Sequence, residues 1–190
     1  NVAKAGGNIL YFSAESSKES LTDRVITSSS GVDSKIIKSA RLTDENWSSL
    51  AAGVSTIKNY SLNIIDISGI DISHAKAIAR KFNRKRKVDL IVVDYLQLMT
   101  CKNSKGDFEV TSSVSRGLKA MADIITFLYR DEYYNEDSPD KGITELTMRK
   151  SRDGELKDHF FKADFSTMRY EEINYTQEPK APSYKPFAGK

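Results

Sequence analysis

Apolar and polar positions follow two periods along this chain, and the switches between them mark its elements. Leu90-Ile91-Val92-Val93 is an unbroken apolar run, mostly β-branched, that leads straight into Asp94. A run this short reads as a strand buried on both faces, as in a parallel sheet under helices. Asn8-Ile9-Leu10-Tyr11-Phe12-Ser13-Ala14 reads the same way and ends at Glu15, and Leu62-Asn63-Ile64-Ile65-Asp66 is a third strand before a turn at Gly69. Between strands the period becomes helical. Ser16 and Glu19 have capping-box spacing, which predicts a helix towards Ile26 that Gly31 breaks, with a short helix around Ser34 to Ala40. Thr43-Asp44-Glu45 opens the most amphipathic helix, with Trp47, Leu50, Ala51, Val54 and Ile57 on one face and Trp47 expected as a core anchor. Asp71 caps another, whose Ala75, Ile78, Ala79 and Phe82 form an apolar stripe. It ends in Arg84-Lys85-Arg86-Lys87, read as a solvated helix end rather than a phosphate site.

After Met99 the pattern predicts a polar loop over 100–107, then a helix marked by Val110, Val114, Leu118 and Met121. Strands alternating with helices in this order argue for an α/β fold with a mostly parallel sheet and crossover helices. The next junction breaks the rhythm. Asp123 passes directly into the strand Ile124-Ile125-Thr126-Phe127-Leu128-Tyr129, whereas helix-to-strand connections usually take about 2–6 residues. A dropped segment between Ala122 and Asp123 is therefore expected. Beyond a polar loop over 133–142, Ile143 to Arg149 reads as a strand and Lys150 to Gly154 as a turn. Strands near His159 to Phe165 and Met168 to Glu171 give an antiparallel finish. Three of the four prolines fall in 176–190, so one domain over 1–175 and a flexible tail over 176–190 are expected.

Composition narrows the classes. Of 190 residues, 39% are hydrophobic and 29% charged, which suits a globular domain with one core. No run is long enough to span a bilayer. The lone Cys101 excludes an internal disulfide and fits a reducing compartment. His74 and His159 lack the company a metal site needs and read as structural. A net charge of +3 is too small to specify a nucleic-acid partner.

The chemistry rests on two acids. On neighbouring strands of one parallel sheet, Glu15 and Asp94 would share the crevice at the carboxyl edge, where open α/β sheets bind ligands. One carboxylate can hold a hydrated Mg²⁺ while the other orients or deprotonates an attacking water, which is the acidic half of a nucleoside-triphosphate hydrolysis site. Acids are also common at strand ends, so the pattern alone leaves coincidence open.

Five strings tip the balance: Phe12-Ser13-Ala14-Glu15, Leu42-Thr43-Asp44-Glu45-Asn46-Trp47, Asp94-Tyr95-Leu96-Gln97-Leu98-Met99, Phe127-Leu128-Tyr129-Arg130-Asp131-Glu132-Tyr133-Tyr134 and Lys150-Ser151-Arg152-Asp153-Gly154. Together, and in this order, they resemble the landmarks of DnaB-type replicative helicases. The resemblance implies a RecA-like P-loop NTPase core that works as a homo-hexamer, hydrolyses ATP with Mg²⁺, moves on single-stranded DNA and meets a primase and a helicase loader. A cytoplasmic setting in a bacterial or phage-infected cell goes with it. On the family's pattern Asp94 is the Mg²⁺ partner and Glu15 activates the hydrolytic water. Lys150 and Arg152 reach the neighbouring subunit's nucleotide, Arg152 as the arginine finger; without the resemblance they read as a solvated turn. Arg130 matches an arginine near the nucleotide, the alternative being an ion pair with Asp131 or Glu132. Lys102 and Lys105 are the candidate DNA contacts. The family's phosphate-cradling Gly-x-x-x-x-Gly-Lys-Ser/Thr loop does not occur in these residues, nor does the segment the family carries at the 122/123 junction. Rival readings are another RecA-fold ATPase of DNA repair or recombination, and a catalytically dead scaffold.

Overall fold

The computed structural model of the chain describes residues 1–94, 99–100, 114–152 and 154–175. β1 (Asn8–Ser13) is the middle strand of a three-stranded parallel sheet, flanked by β2 (Ser61–Asp66) and β3 (Leu90–Asp94). Both neighbours run in step with it, so Ser13 lies opposite Asp66 on one side and Asp94 on the other. Parallel neighbours need long crossovers, and helices supply them here. α1 (Lys18–Ser30), α2 (Ser34–Ser39) and α3 (Asp44–Ile57) connect β1 to β2, and α4 (Ile72–Lys85) connects β2 to β3.

Local chemistry sets the helix ends. The cap of α1 is Ser17, whose side chain accepts from the Ser20 N–H at 3.2 Å. This is one residue later than the Ser16–Glu19 spacing suggests, because the Ser13 hydroxyl donates to the Ser16 carbonyl at 2.5 Å and holds it in the strand exit. Gly31 ends α1 at φ 73°, a left-handed conformation that an added Cβ would disfavour. Thr43 and Asn46 form a reciprocal capping box at the start of α3, and Asp71 caps α4 through the Ser73 N–H.

The core lies on one face of this sheet. Leu10 and Phe12 of β1 pack with Ile72, Ala75 and Ala79 of α4, together with Ile70, Met99 and Val114. Val114 belongs to the helical residues 114–119, labelled α5. Strand alternation turns Tyr11 and Ser13 to the opposite face. Two expectations about burial need correction. β3 is not buried on both faces: Leu90 is 37% exposed and the rest of the strand is half-buried, because β3 is an edge strand that pairs only with β1 among the described residues. Trp47 is not a core anchor, being 60% exposed. α3 instead turns Leu50 and Gly53 inward. Gly53 comes so close to α1 that a Cβ there would stand 2.9 Å from the Ser30 nitrogen. Backbone approach, rather than the widest apolar stripe, sets the contact face.

The antiparallel strands form a sheet of their own, ordered β4 (Ile124–Tyr129), β5 (Ile143–Ser151), β6 (His159–Asp164) and β7 (Arg169–Ile173). β5 runs past Arg149, so Lys150 and Ser151 belong to the strand and not to a turn. A single helical turn, α6 (Asp131–Tyr134), follows β4. Ser34 N–H donates to the Ser166 carbonyl at 3.2 Å and Arg169 donates to the Ser28 carbonyl at 3.3 Å, which links the turn before β7 to α1 and α2. His159 pairs across strands with Glu172 at 2.8 Å, in keeping with a structural role. Residues 95–98, Cys101, Lys102, Lys105, Asp153 and the 176–190 tail lie outside the described residues.

Candidate active site at the carboxyl edge of the parallel sheet

The register of three parallel strands brings Ser13, Asp66 and Asp94 to one edge. The Ala14 N–H donates to the Asp94 carbonyl at 2.7 Å, so β1 stays tied to β3 one residue past its formal end. Glu15 follows at once and is exposed. Asp66 is occupied differently: its Oδ2 accepts from the Lys18 N–H at 3.0 Å, where it serves the first turn of α1. Among the described residues the Asp94 carboxylate receives one bond, from the Tyr11 hydroxyl to Oδ2 at 2.7 Å. Burial, and then this bond to a carboxylate, push the Tyr11 phenol well above its ordinary pKa. The edge thus presents one braced carboxylate and, just beyond β1, one exposed carboxylate.

These donors suit one kind of metal. Among the described residues no three His, Cys, Asp or Glu side chains are grouped to hold an ion. Mg²⁺ does not need such a cage, because it keeps several waters and takes one or two carboxylates with substrate phosphates. The edge therefore fits a nucleotide-borne Mg²⁺ better than a dedicated protein metal site.

The opposite edge of the sheet is fastened by a residue the sequence pattern did not single out. Asn8 is 3% exposed, and its amide uses its full bonding capacity. Nδ2 donates to the carbonyls of Arg86 (3.2 Å) and Lys87 (3.0 Å), while Oδ1 accepts from Ser61 Oγ (2.7 Å) and Asn63 Nδ2 (3.2 Å). The Asn8 N–H also donates to Asp89 Oδ2 at 2.8 Å, and the Asp89 N–H donates to the Asn8 carbonyl at 2.9 Å. A polar residue opening an otherwise apolar strand was the available signal. Tyr11 was also missed, although its place two residues before Ser13 puts it on the face of the acid.

The basic candidates lie elsewhere, on the antiparallel sheet. At the end of β5, Lys150 donates to the carbonyls of Lys119 (2.7 Å) and Ala122. Arg152 pairs with Asp123 at 2.6 Å, both side chains about two-thirds exposed. Both residues therefore clasp the short junction between α5 and β4. Arg130 caps α6, pairs with Glu132 and lies over the Phe165 ring at 4.3 Å. Its hydrogen bond, with that of the Gly142 N–H at 2.8 Å, holds the Glu132 carboxyl below its usual range. The structure thus joins Asp94 to the end of β1 before Glu15, and groups Lys150 with Arg152. It places neither basic residue on the strands that carry the acids.

This arrangement defines the class first. The fold matches that of solved ATPase domains of RecA type: two structures, one described as an ATPase domain and one as a DnaB-like replicative helicase with its interactions with primase, each superpose at a TM-score of 0.75 with 24% identity over 90% of this chain. The match takes in 76% of the first chain and 52% of the second. The sequence then gives the family. The DnaB-like helicase C-terminal domain profile matches residues 1–123, and the chain belongs to that family. Similar relatives include the replicative DNA helicase DnaB of Geobacillus stearothermophilus, 28% identical over 197 residues, and that of Haemophilus influenzae, 30% identical over 193. These alignments cover 81% and 78% of this chain but only 43% and 41% of those proteins, so it spans about two-fifths of their length. The first carries a further fact. Since 81% of 190 residues is about 154, some 43 of its 197 positions have no counterpart here. The family match, moreover, stops at Asp123.

Proposed function

We propose that this domain is the motor of a ring-forming replicative DNA helicase, coupling ATP hydrolysis to movement along single-stranded DNA and to duplex unwinding. The carrying observation is the braced Asp94 carboxylate beside the end of β1, at the carboxyl edge of a parallel sheet, in a chain of this family. Asp94 would hold Mg²⁺ through water, and the ion supplies charge neutralisation on the phosphates when bound. Glu15, exposed just past β1, accepts the proton of the attacking water. Arg152 pairs with an exposed carboxylate at the surface, so it can exchange Asp123 for a phosphoryl group across a subunit interface, with Lys150 beside it. Arg130 is better placed to brace the antiparallel sheet than to touch nucleotide, being held by Glu132 and Phe165. Lys102 and Lys105 would contact DNA phosphates without reading sequence. A homo-hexamer, a primase, a loader and a cytoplasmic setting complete the reading.

Hydrolysis also requires a phosphate-cradling loop, and these 190 residues contain no such motif. A second reading makes the chain a non-hydrolysing scaffold. One experiment separates the two. In the full-length protein that carries this domain, Glu15→Gln should lower ATP turnover by roughly 10²–10⁴-fold and leave nucleotide binding intact. Undiminished turnover overturns the role of Glu15. Absence of turnover in the unaltered protein selects the scaffold.

A further inference from the structure

Tyr11 is the one residue of β1 short of full burial, and it stands between Ile64 of β2 and Val92 of β3. Val92 and Asp94 share a face of β3, so Asp94 is the diagonal neighbour of Tyr11, within reach of a long aromatic side chain. The hydroxyl uses that reach, donating to Asp94 Oδ2 at 2.7 Å. Among the described residues no hydrogen bond reaches Oδ1. The Asp94 backbone is fixed too, since its carbonyl accepts from Ala14 N–H. A carboxylate otherwise rotates freely about its last torsion. Here a ring seated on the central strand restrains that rotation through Oδ2 and leaves Oδ1 for another partner.

We propose that Tyr11 is a positioning residue for Asp94: its phenol pins Oδ2 so that Oδ1 alone is presented to the hydrated Mg²⁺ of a bound nucleotide. This rests on the reading of Asp94 given above. Mg²⁺ tolerates little departure from octahedral geometry, so a ligand that engages it through water gains from being held in one orientation. Partners that orient metal-binding carboxylates commonly account for 10–100-fold in metal affinity. Tyrosine is suited to the task because it is rigid, and its hydroxyl sits at the end of a side chain the sheet itself anchors.

The test is Tyr11→Phe, which removes one oxygen and keeps the ring. In the full-length protein, Mg²⁺ is titrated against binding of a fluorescent ADP analogue, and Mn²⁺ occupancy is read by electron paramagnetic resonance. The Mg²⁺ midpoint should rise about 10-fold or more, while nucleotide affinity at saturating Mg²⁺ and the urea midpoint of unfolding stay close to those of the unaltered protein. Tyr11→Leu should raise the Mg²⁺ midpoint as much as Tyr11→Phe. An unmoved midpoint overturns the proposal, and so does a lower one, which would make the phenol a mask over Asp94. Asp94→Asn distinguishes the two levels of failure. If it too leaves the Mg²⁺ midpoint unmoved, the assignment of Asp94 falls. If it shifts the midpoint and Tyr11→Phe does not, only the role of Tyr11 falls.

Discussion

Asn8→Ala tests whether the amino edge of the parallel sheet sets the alignment of its carboxyl edge. The side chain makes four hydrogen bonds while 3% exposed, tying β1 to β2 through Ser61 and Asn63 and to the approach to β3 through Arg86 and Lys87. Each such bond contributes about 0.5–1.5 kcal/mol net, and the groups left behind lose a partner in a site with little water. Two of the four are long, at 3.2 Å, so a total near the lower half of the sum is expected: about 2–4 kcal/mol. With an m value near 2 kcal/mol/M, the urea midpoint should fall by about 1–2 M. Far-UV circular dichroism is the better probe, because the single tryptophan, Trp47, is exposed and senses the core poorly. Asn8→Asp sharpens the test. It keeps the shape but turns an oxygen towards the Arg86 and Lys87 carbonyls, so at neutral pH it should destabilise at least as much as alanine. Its carboxyl would be pushed above the ordinary value in the folded state, so stability should recover as pH falls and the protonated acid regains a donor. A loss below about 1 kcal/mol for Asn8→Ala would refute the reasoning. So would an Asn8→Asp deficit that is the same in acid as at neutral pH.

Two further outcomes follow from the antiparallel sheet. Arg130→Ala should weaken the domain, with the contact to the part-exposed Phe165 ring accounting for about 0.5–1 kcal/mol of the loss, and a double-mutant cycle with Phe165→Leu should show that coupling; tenfold weaker nucleotide binding at unchanged stability would return Arg130 to the nucleotide site. Asp164 accepts from Ser166 N–H (2.9 Å), Ser166 Oγ (2.6 Å) and Thr167 Oγ1 (2.6 Å), which hold its carboxyl down to about 2. A depressed folded value means a contribution present above the ordinary carboxylate range, about 4, and lost as pH falls towards 2. The stability gap between the unaltered protein and Asp164→Ala should therefore close over that window, and a gap that is constant from pH 5 to 2 would disprove it.

Much of the parallel half was legible because its signals are local. The runs at Ile9–Phe12 and Leu90–Val93, the Thr43 and Asp71 caps and the stripe of α4 each fix an element from a few neighbouring residues. The failures concern what only the assembled chain decides. Trp47 lies on an apolar stripe, but the close approach of Gly53 to Ser30 chose which part of α3 faces inward. β3 reads as a strand buried on both faces, yet among the described residues it pairs only with β1. At the site, acids at strand ends pointed to Asp94 and Glu15, whereas the partners of Tyr11 and Asn8 became visible only through the register that brings residues some 80 positions apart together. The five strings named the family's likeness, but where Lys150 and Arg152 rest is a matter of the junction they clasp.

The position of β1 in the middle of its sheet has a consequence for the order in which the protein is made. β1 leaves the ribosome before either neighbour: Asn8 pairs with Ser61 and Ile9 with Leu90, so its two partners arrive 53 and 81 residues later. At about 5–20 residues per second, the second edge stays open for roughly 4–16 s, whereas α1 and α3 can form within microseconds of emerging. Through that interval Ile9, Leu10 and Phe12 sit on a strand with an unpaired edge, the kind of segment that chaperones cover and that aggregation exploits. Substitutions that delay β3 without changing the finished fold should consequently reduce the yield of soluble protein in cells while leaving the stability of the purified protein unchanged.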